Sequence, residues 1–257
     1  MQPEHQVSAS IDRLGLARGQ LLEPAGLDLG DIDRGLASLM SRRLDYADIY
    51  FQFTRFETWT VEDGIVKDGT HSVDQGFGVR AVSGEKTGFA YSDELNKSAL
   101  NDAVKAARGI ARDQGNRRYK VATQAPAREL YPAVDPLLSL EDAEKVALLS
   151  KLDKQVRGMD ERIIQVIGSL AGVYEVVLVQ TSDGFLGVDI RPLVRLNVSV
   201  IMESNGRREQ GYAGGGGRGN FSLFTETDRP RTIAEEAVRQ AAVNLEAIPA
   251  PAGNMPV

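Results

Sequence analysis

The sequence predicts an α+β fold of antiparallel sheets with packed helices, and three observations predict it. Apolar and polar residues alternate in several runs, most clearly PLVRLNVSVIME, where Val194, Leu196, Val198, Val200 and Met202 point one way and Arg195, Asn197 and Ser199 the other. Other segments repeat their apolar residues at helical spacing. Aspartate-glycine pairs join neighbouring strands, a hairpin signal because both central residues of a type I′ turn need positive φ.

The first thirty residues are interrupted by Gly15, Gly19, Pro24 and Gly26, which leaves room for at most a short helix over 11–22. Ile32, Leu36, Leu39, Met40 and Leu44 then set a packed helix that ends near Arg42 and Arg43, cations suited to its C-terminal dipole. In DIYFQFT the period changes to that of a strand, and short strands follow over 57–62, 64–67 with 72–82, and 87–91, divided by Asp63-Gly64, Asp68-Gly69 and Ser83-Gly84. A helix over 93–112 carries Leu100, Val104, Ala107 and Ala111 on one face and stops at Gly115. Residues 116–136, with Pro126, Pro132 and Pro136, read as a connection without regular structure.

A second helix opens at Ser139, whose Ser-Leu-Glu-Asp order resembles a capping box, and ends at Gly158. Strands follow over 163–170, 173–181, 185–202 with a break at Pro192, and 207–212. A final helix starts at Thr232, which forms Thr-x-x-Glu with Glu235, and APAPAGNMPV leaves as an extended segment. Helix, strands, aspartate-glycine turn, strands and helix thus occur twice, and both duplication and chance similarity of two meanders account for it. The expected organisation is an N-terminal segment 1–30, a first α+β half 31–115, a linker 116–138, a second half 139–248 and an extended exit 249–257.

Composition narrows the chemistry. The 257 residues hold 30 Lys and Arg against 36 Asp and Glu, a net charge of −6, with 42% hydrophobic residues. No basic cluster is dense enough to neutralise a run of phosphates, so direct nucleic-acid binding is not expected. No apolar run reaches the roughly 18 residues of a membrane span, and MQPEHQVSAS lacks the basic and apolar regions of a signal peptide, so the expectation is a cytoplasmic protein with no membrane partner. Without cysteine, disulfides and thiolate chemistry are excluded, and His5 and His71 are too far apart to form a local ligand pair.

Four consecutive glycines, Gly214, Gly215, Gly216 and Gly217, precede Arg218 and form the most unusual local stretch. A phosphate loop would need a following Lys and a Ser or Thr, which are missing; a flexible turn and a surface loop bordering a peptide or partner chain both remain open. The acidic pairs Glu62 with Asp63 and Asp183 near Asp189 read as turn residues. His71 reads as an exposed polar group with no second ligand in view, and Trp59 as core. Arg80, in GFGVRAV, suits either a substrate carboxylate or an ion pair on the sheet surface. With no catalytic residue and no metal ligand assigned, Arg80, Gly214 to Gly217 and Arg218 stand as candidates for substrate or interface contact.

The blocks RRLDYADIYFQ, EDGIVKDG, DQGFGVRAVSGEKTGFAYSD, LAGVYEVVLVQTSDG, DIRPLVRLNVSV, GGGGR and APAGNMPV together resemble the TldD/PmbA (TldE) metallopeptidase family, over nearly the whole chain from Leu21 to Val257. The resemblance implies the N-terminal half of the metallopeptidase subunit of a cytoplasmic heterodimeric protease. Such a protease pairs with a TldE/PmbA-like subunit, degrades unfolded or short peptides in an enclosed chamber, matures the leader of a gyrase-inhibiting peptide, and was formerly described as a modulator of DNA gyrase. The family's His-Glu-x-x-x-His metal motif follows the block that reads APAGNMPV, and a cysteine ligand lies further on. This sequence stops at Val257, before that motif, so no catalytic or metal-binding residue carries over. The expectation is a chain with no cofactor of its own, zinc belonging to the full-length enzyme, inactive alone and able to associate with itself or with a TldE-like subunit. A non-catalytic peptide-binding or scaffold module is the alternative; strand addition at a sheet edge would serve either.

Overall fold

In the computed structural model, which describes residues 12–110, 119–124, 130–250 and 253, the chain divides into two compact units. The first comprises Met1–Arg55, Ser72–Val134 and Tyr174–Pro192, the second Phe56–His71, Asp135–Val173 and Leu193–Val257. His5, the start of the first predicted helix, Ala111 with Arg112 and the Gly115 stop, Pro126, and most of the 249–257 exit lie outside the described residues.

In the first unit, Asp12 accepts the Gly15 N–H and opens α1 (Arg13–Ala17), which continues as a π-helical turn over Arg18–Leu22 and a 3-10 turn over Glu23–Ala25. This is more helix than the glycines suggested, because Ala17, Leu21 and Leu22 are fully buried and packing outweighs propensity. α2 (Leu29–Met40) begins at a box in which Asp28 accepts the Asp31 N–H at 2.8 Å and Asp31 accepts the Asp28 N–H at 3.1 Å. Its buried stripe is Ile32, Leu36, Leu39 and Met40. α3 (Lys97–Arg108) is capped by Asn96, whose Oδ1 accepts from Ala99, and is shorter than the predicted 93–112 because this cap forms a turn later.

The strands are longer and fewer than the sequence suggested: β1 (Tyr46–Glu62), β2 (Ile65–Ser83), β3 (Lys86–Ser92), the two-residue β4 (Thr123–Gln124), β5 (Ile163–Thr181), β6 (Phe185–Ser204) and β7 (Arg207–Gly217). They pair in the order β3-β2-β1-β5-β6-β4, with β7 also on β6. β4 runs parallel to β6 while β2–β3 and β6–β7 are antiparallel, so the sheet is mixed and the fold α+β. β4 also gives the 116–136 connection a piece of regular structure. Asp63-Gly64 turns with φ of 52° and 74°, and Asn205-Gly206 with 53° and 78°, as two-residue hairpins require.

Four expected breaks do not occur, the first between Thr54 and Glu57, which β1 spans without interruption. Asp68-Gly69 lies inside β2, where the Trp59 ring packs 2.9 Å from the place a Gly69 β-carbon would take, so the glycine admits an aromatic ring and makes no turn. β5 runs unbroken through Ala171-Gly172. Pro192 sits inside β6 between the residues opposite β4, which end at Leu186, and those opposite β7, which begin at Val194, so its missing N–H removes no ladder bond on that side.

In the second unit α4 (Asp142–Arg157) starts three residues beyond Ser139, because the Ser139 hydroxyl closes the preceding 3-10 turn on the Pro136 carbonyl at 2.6 Å; Glu141 and Glu144 supply the capping interaction. α5 (Ser222–Thr225) is a single turn, and α6 (Arg229–Glu246) begins a turn before Thr232, with Pro230 in its first turn. Val194, Leu196, Val198, Val200 and Met202 are all fully buried as one face of β6, in a cluster that also takes Leu149, Leu152 and Val156 of α4 and Ala234, Ala237 and Ala241 of α6. No helix among the described residues is long and apolar enough to cross a membrane.

Candidate functional site

The pleat of the first unit puts Ala47, Ile49, Phe51, Phe77, Val79 and Ala81 in the core and their alternating neighbours on the opposite face. There the register Gly78↔Tyr91 and Arg80↔Phe89 lines up two side chains of β3 with β2, and Asp48, Tyr50 and Gln52 follow on β1. Together they line a pocket of about 620 Å³. Arg80 sends Nη2 at 2.6 Å and Nε at 2.8 Å to Asp48 Oδ2, and its guanidinium lies 5.6 Å from the Tyr46 ring centre. The hydrogen bond and charge of Asp48 raise the Arg80 pKa further above its ordinary value. Of the two fates open to Arg80, the structure therefore shows the ion pair.

A polar chain continues across this face. The Tyr50 hydroxyl donates to Gln52 at 2.9 Å, Gln52 donates to Glu175 at 3.2 Å, and Arg191 bonds both Glu175 at 2.9 Å and Asp189 at 2.7 Å. Asp189 therefore sits within β6, not at the turn expected for it. Burial pushes the Asp189 carboxyl up, but hydrogen bonds from Arg191 and Tyr131 pull it further down, leaving it below the ordinary carboxylate value. A depressed folded-state pKa gives stability that is complete above the unfolded value, about 4, and is lost as pH falls through the folded one. Asp189→Asn is accordingly expected to lower stability at neutral pH by less than about 1 kcal/mol, since the pair is partly exposed. The difference from wild type should vanish in acid, as urea titrations at several pH values will read.

A second cluster belongs to the second unit. β1 places Glu57, β2 places His71, and the first turn of α4 places Asp142 and Lys145. Lys145 is 1% exposed and Glu57 2%. The ammonium lies 2.7 Å from Glu57 Oε1, 3.3 Å from Asp142 Oδ1, 3.1 Å from the Leu137 carbonyl oxygen and 5.6 Å from the Phe221 ring centre. Outside it, His71 Nδ1 is 3.6 Å from Glu57 Oε2 and the imidazole meets the Trp59 ring edge-on at 5.7 Å. Glu57, His71 and Asp142 offer ligand atoms within 4.8 Å of one another, the one such group among the described residues. The Lys145 ammonium stands where a cation would bind, donating to the Leu137 carbonyl and Asp142 and pairing by charge with Glu57, so the group does not fit a metal ion. His71 thus has acidic neighbours that sequence reasoning missed, because they come from separate elements and only the pairing of strands with α4 unites them.

The glycine run is not a surface loop. Gly214 to Gly217 form the end of β7, paired with Asn197, Leu196, Arg195 and Val194, and Arg218 follows, exposed, in the next bend. A β-carbon at Gly216 would overlap the Val194 carbonyl oxygen, and one at Gly215 would come within 3.2 Å of Ile233. The run keeps side chains out of a tight strand contact. Arg80 belongs to the first unit, the glycines and Arg218 to the second. Of the other acidic groups, Asp63 pairs with Arg157 and accepts the Val166 N–H at 3.0 Å, Glu62 accepts from Gln165 at 2.7 Å, and Asp183 accepts from Thr181.

Two compact units of strands backed by helices, joined through one mixed strand order, put the chain in the α+β class. Family models for the PmbA/TldA metallopeptidase domain 1 and central domain match residues 47–111 and 135–245, and the chain belongs to the PmbA/TldD metallopeptidase family. It is 46% identical over 244 residues to a metalloprotease TldD homolog of Haemophilus influenzae, covering 92% of this chain and 50% of that protein. A metalloprotease TldD homolog of Buchnera aphidicola subsp. Schizaphis graminum is 39% identical, with 95% and 52% covered. The chain spans about half the length of the curated relatives it matches. The fold also matches TldE from Thermococcus kodakarensis, with TM-score 0.61 at 15% identity over 83% of this chain and 47% of that one. A candidate modulator of a DNA gyrase from Thermotoga maritima gives TM-score 0.66 at 16% identity over 88% and 50%.

Proposed function

We propose that this chain is the N-terminal, non-hydrolytic portion of a cytoplasmic zinc metalloprotease that degrades short or unfolded peptides, and that it supplies chamber wall, peptide contacts and subunit interface. The observation that carries the reading is the pair of matches to domain 1 and the central domain, taken with a Glu57–His71–Asp142 group whose cation position is filled by Lys145. Zinc and the group that activates water then belong to the part of the relatives that this chain does not span. The partner is a TldE/PmbA-like subunit or a second copy of the chain. Arg80, the β7 glycines and Arg218 are the residues offered for peptide or subunit contact.

The purified 257-residue chain, dialysed and analysed for metal, is expected to hold no stoichiometric zinc, to cleave no fluorogenic peptide with or without added zinc, and to shift in size-exclusion chromatography when mixed with a TldE-like subunit. Chelator-sensitive cleavage by the chain alone would place the chemistry inside it and sink the reading.

A further inference from the structure

The pocket lined by outward-facing residues of β1, β2 and β3 in the first unit holds chemistry that the polar chain does not use. Phe89 and Tyr91 stack with ring centres 6.0 Å apart, yet are 64% and 78% exposed, an unusual outlay of aromatic surface on adjacent outward positions of one strand. The Phe89 ring lies over Gly78, 3.0 Å from where a β-carbon would stand, so the ring edge forms part of the pocket floor. Asp74 and Asp93 line the same pocket. Among the described residues neither has an ion-pair or hydrogen-bond partner, in contrast to Asp48, which Arg80 neutralises. One arginine against three aspartates leaves an excess of two negative charges beside exposed π faces.

We propose that this pocket binds a basic side chain of an extended peptide, with arginine as the preferred residue. Aromatic faces attract a cation through the negative potential of the ring, and a planar guanidinium can stack on a ring while directing its N–H groups at carboxylates in its own plane. The volume, about 620 Å³, suits an arginine with its flanking backbone and lies within the range of ligand pockets. A peptide carboxylate would instead meet Asp74 and Asp93 while the nearby Arg80 is already held by Asp48. This inference rests on the reading that the chain contacts peptides, and it names the peptide class; binding is therefore tested on the purified chain, where cleavage plays no part.

Calorimetric titration with acetyl-Ala-Arg-Ala-amide, its citrulline counterpart and arginine amide separates charge from shape and peptide from free residue. The arginine peptide is expected to bind at least about tenfold more tightly than the citrulline peptide, and more tightly than arginine amide. The preference should weaken with added salt. Asp74→Asn with Asp93→Asn, and separately Tyr91→Ala, should each reduce arginine-peptide affinity about tenfold without changing the circular dichroism spectrum, since all three side chains are exposed. Equal binding of the arginine and citrulline peptides overturns the proposal while leaving peptide contact intact. Equal binding of arginine amide and the peptide overturns the peptide as occupant, and absence of binding by all three overturns proposal and peptide contact together.

Discussion

Gly211→Val is expected to unfold the second unit or to cost more than about 3 kcal/mol, at the upper end of what single substitutions do. Gly211 lies on β7 opposite Val200, and α6 is seated directly on its backbone. A β-carbon there would overlap the Ala237 carbonyl oxygen and come within 2.5 Å of the Ala241 nitrogen. Both atoms belong to helix backbone, so no rotamer change makes room; either α6 moves, uncovering Ala234, Ala237 and Ala241 from the core, or β7 leaves β6. Gly219→Ala is the control, because nothing lies within 4 Å of its added carbon, and it should change stability by less than about 0.5 kcal/mol. Equal urea midpoints for the two variants would show that α6 does not rest on β7 as described.

Lys145→Met is expected to cost about 3 to 5 kcal/mol, because the substitution keeps the length of the side chain but leaves Glu57 buried without its cation. The Leu137 carbonyl and Asp142 also lose a donor. Most of the penalty should belong to the abandoned carboxylate. Combining Lys145→Met with Glu57→Leu should therefore recover much of the stability, since an apolar pair of similar volume can replace a buried ion pair at little cost. A double variant as unstable as the sum of its single variants would show that Lys145 and Glu57 do not act as a pair.

Local rules placed much of this fold. The alternation in PLVRLNVSVIME identified the buried face of β6, and Asp63-Gly64 identified its hairpin, because both signals depend only on neighbours in sequence. The long strands were cut too short for the same reason: Asp68-Gly69 and Pro192 are breakers in isolation. Their tolerance comes from a Trp59 ring and from a stretch between β4 and β7 that asks for no N–H, both of which are tertiary facts. Gly214 to Gly217 failed as a loop reading because a glycine run says that side chains are unwelcome without saying whether solvent or a neighbouring strand excludes them. Arg80 was legible as a candidate. Its Asp48 partner, the free Asp74 and Asp93, and the gathering of Glu57, His71, Asp142 and Lys145 were not, since each set is assembled from separate elements.

The interleaved course of the chain constrains how it leaves the ribosome. β1, β2, β5 and β6 each begin in one unit and end in the other, so the first unit is complete only when Pro192 has been synthesised, although its chain begins before the second unit has contributed a residue. The nascent chain cannot finish one unit and then start the next, as a string of consecutive domains does. Its sheet must wait for partners distant in sequence, which slows folding and leaves apolar strands such as β1 without their neighbours while translation continues. Nascent-chain protease protection of the first unit should consequently appear only after Pro192 has emerged and that of the second only after α6 has followed, and excision at one linker will not yield either unit whole.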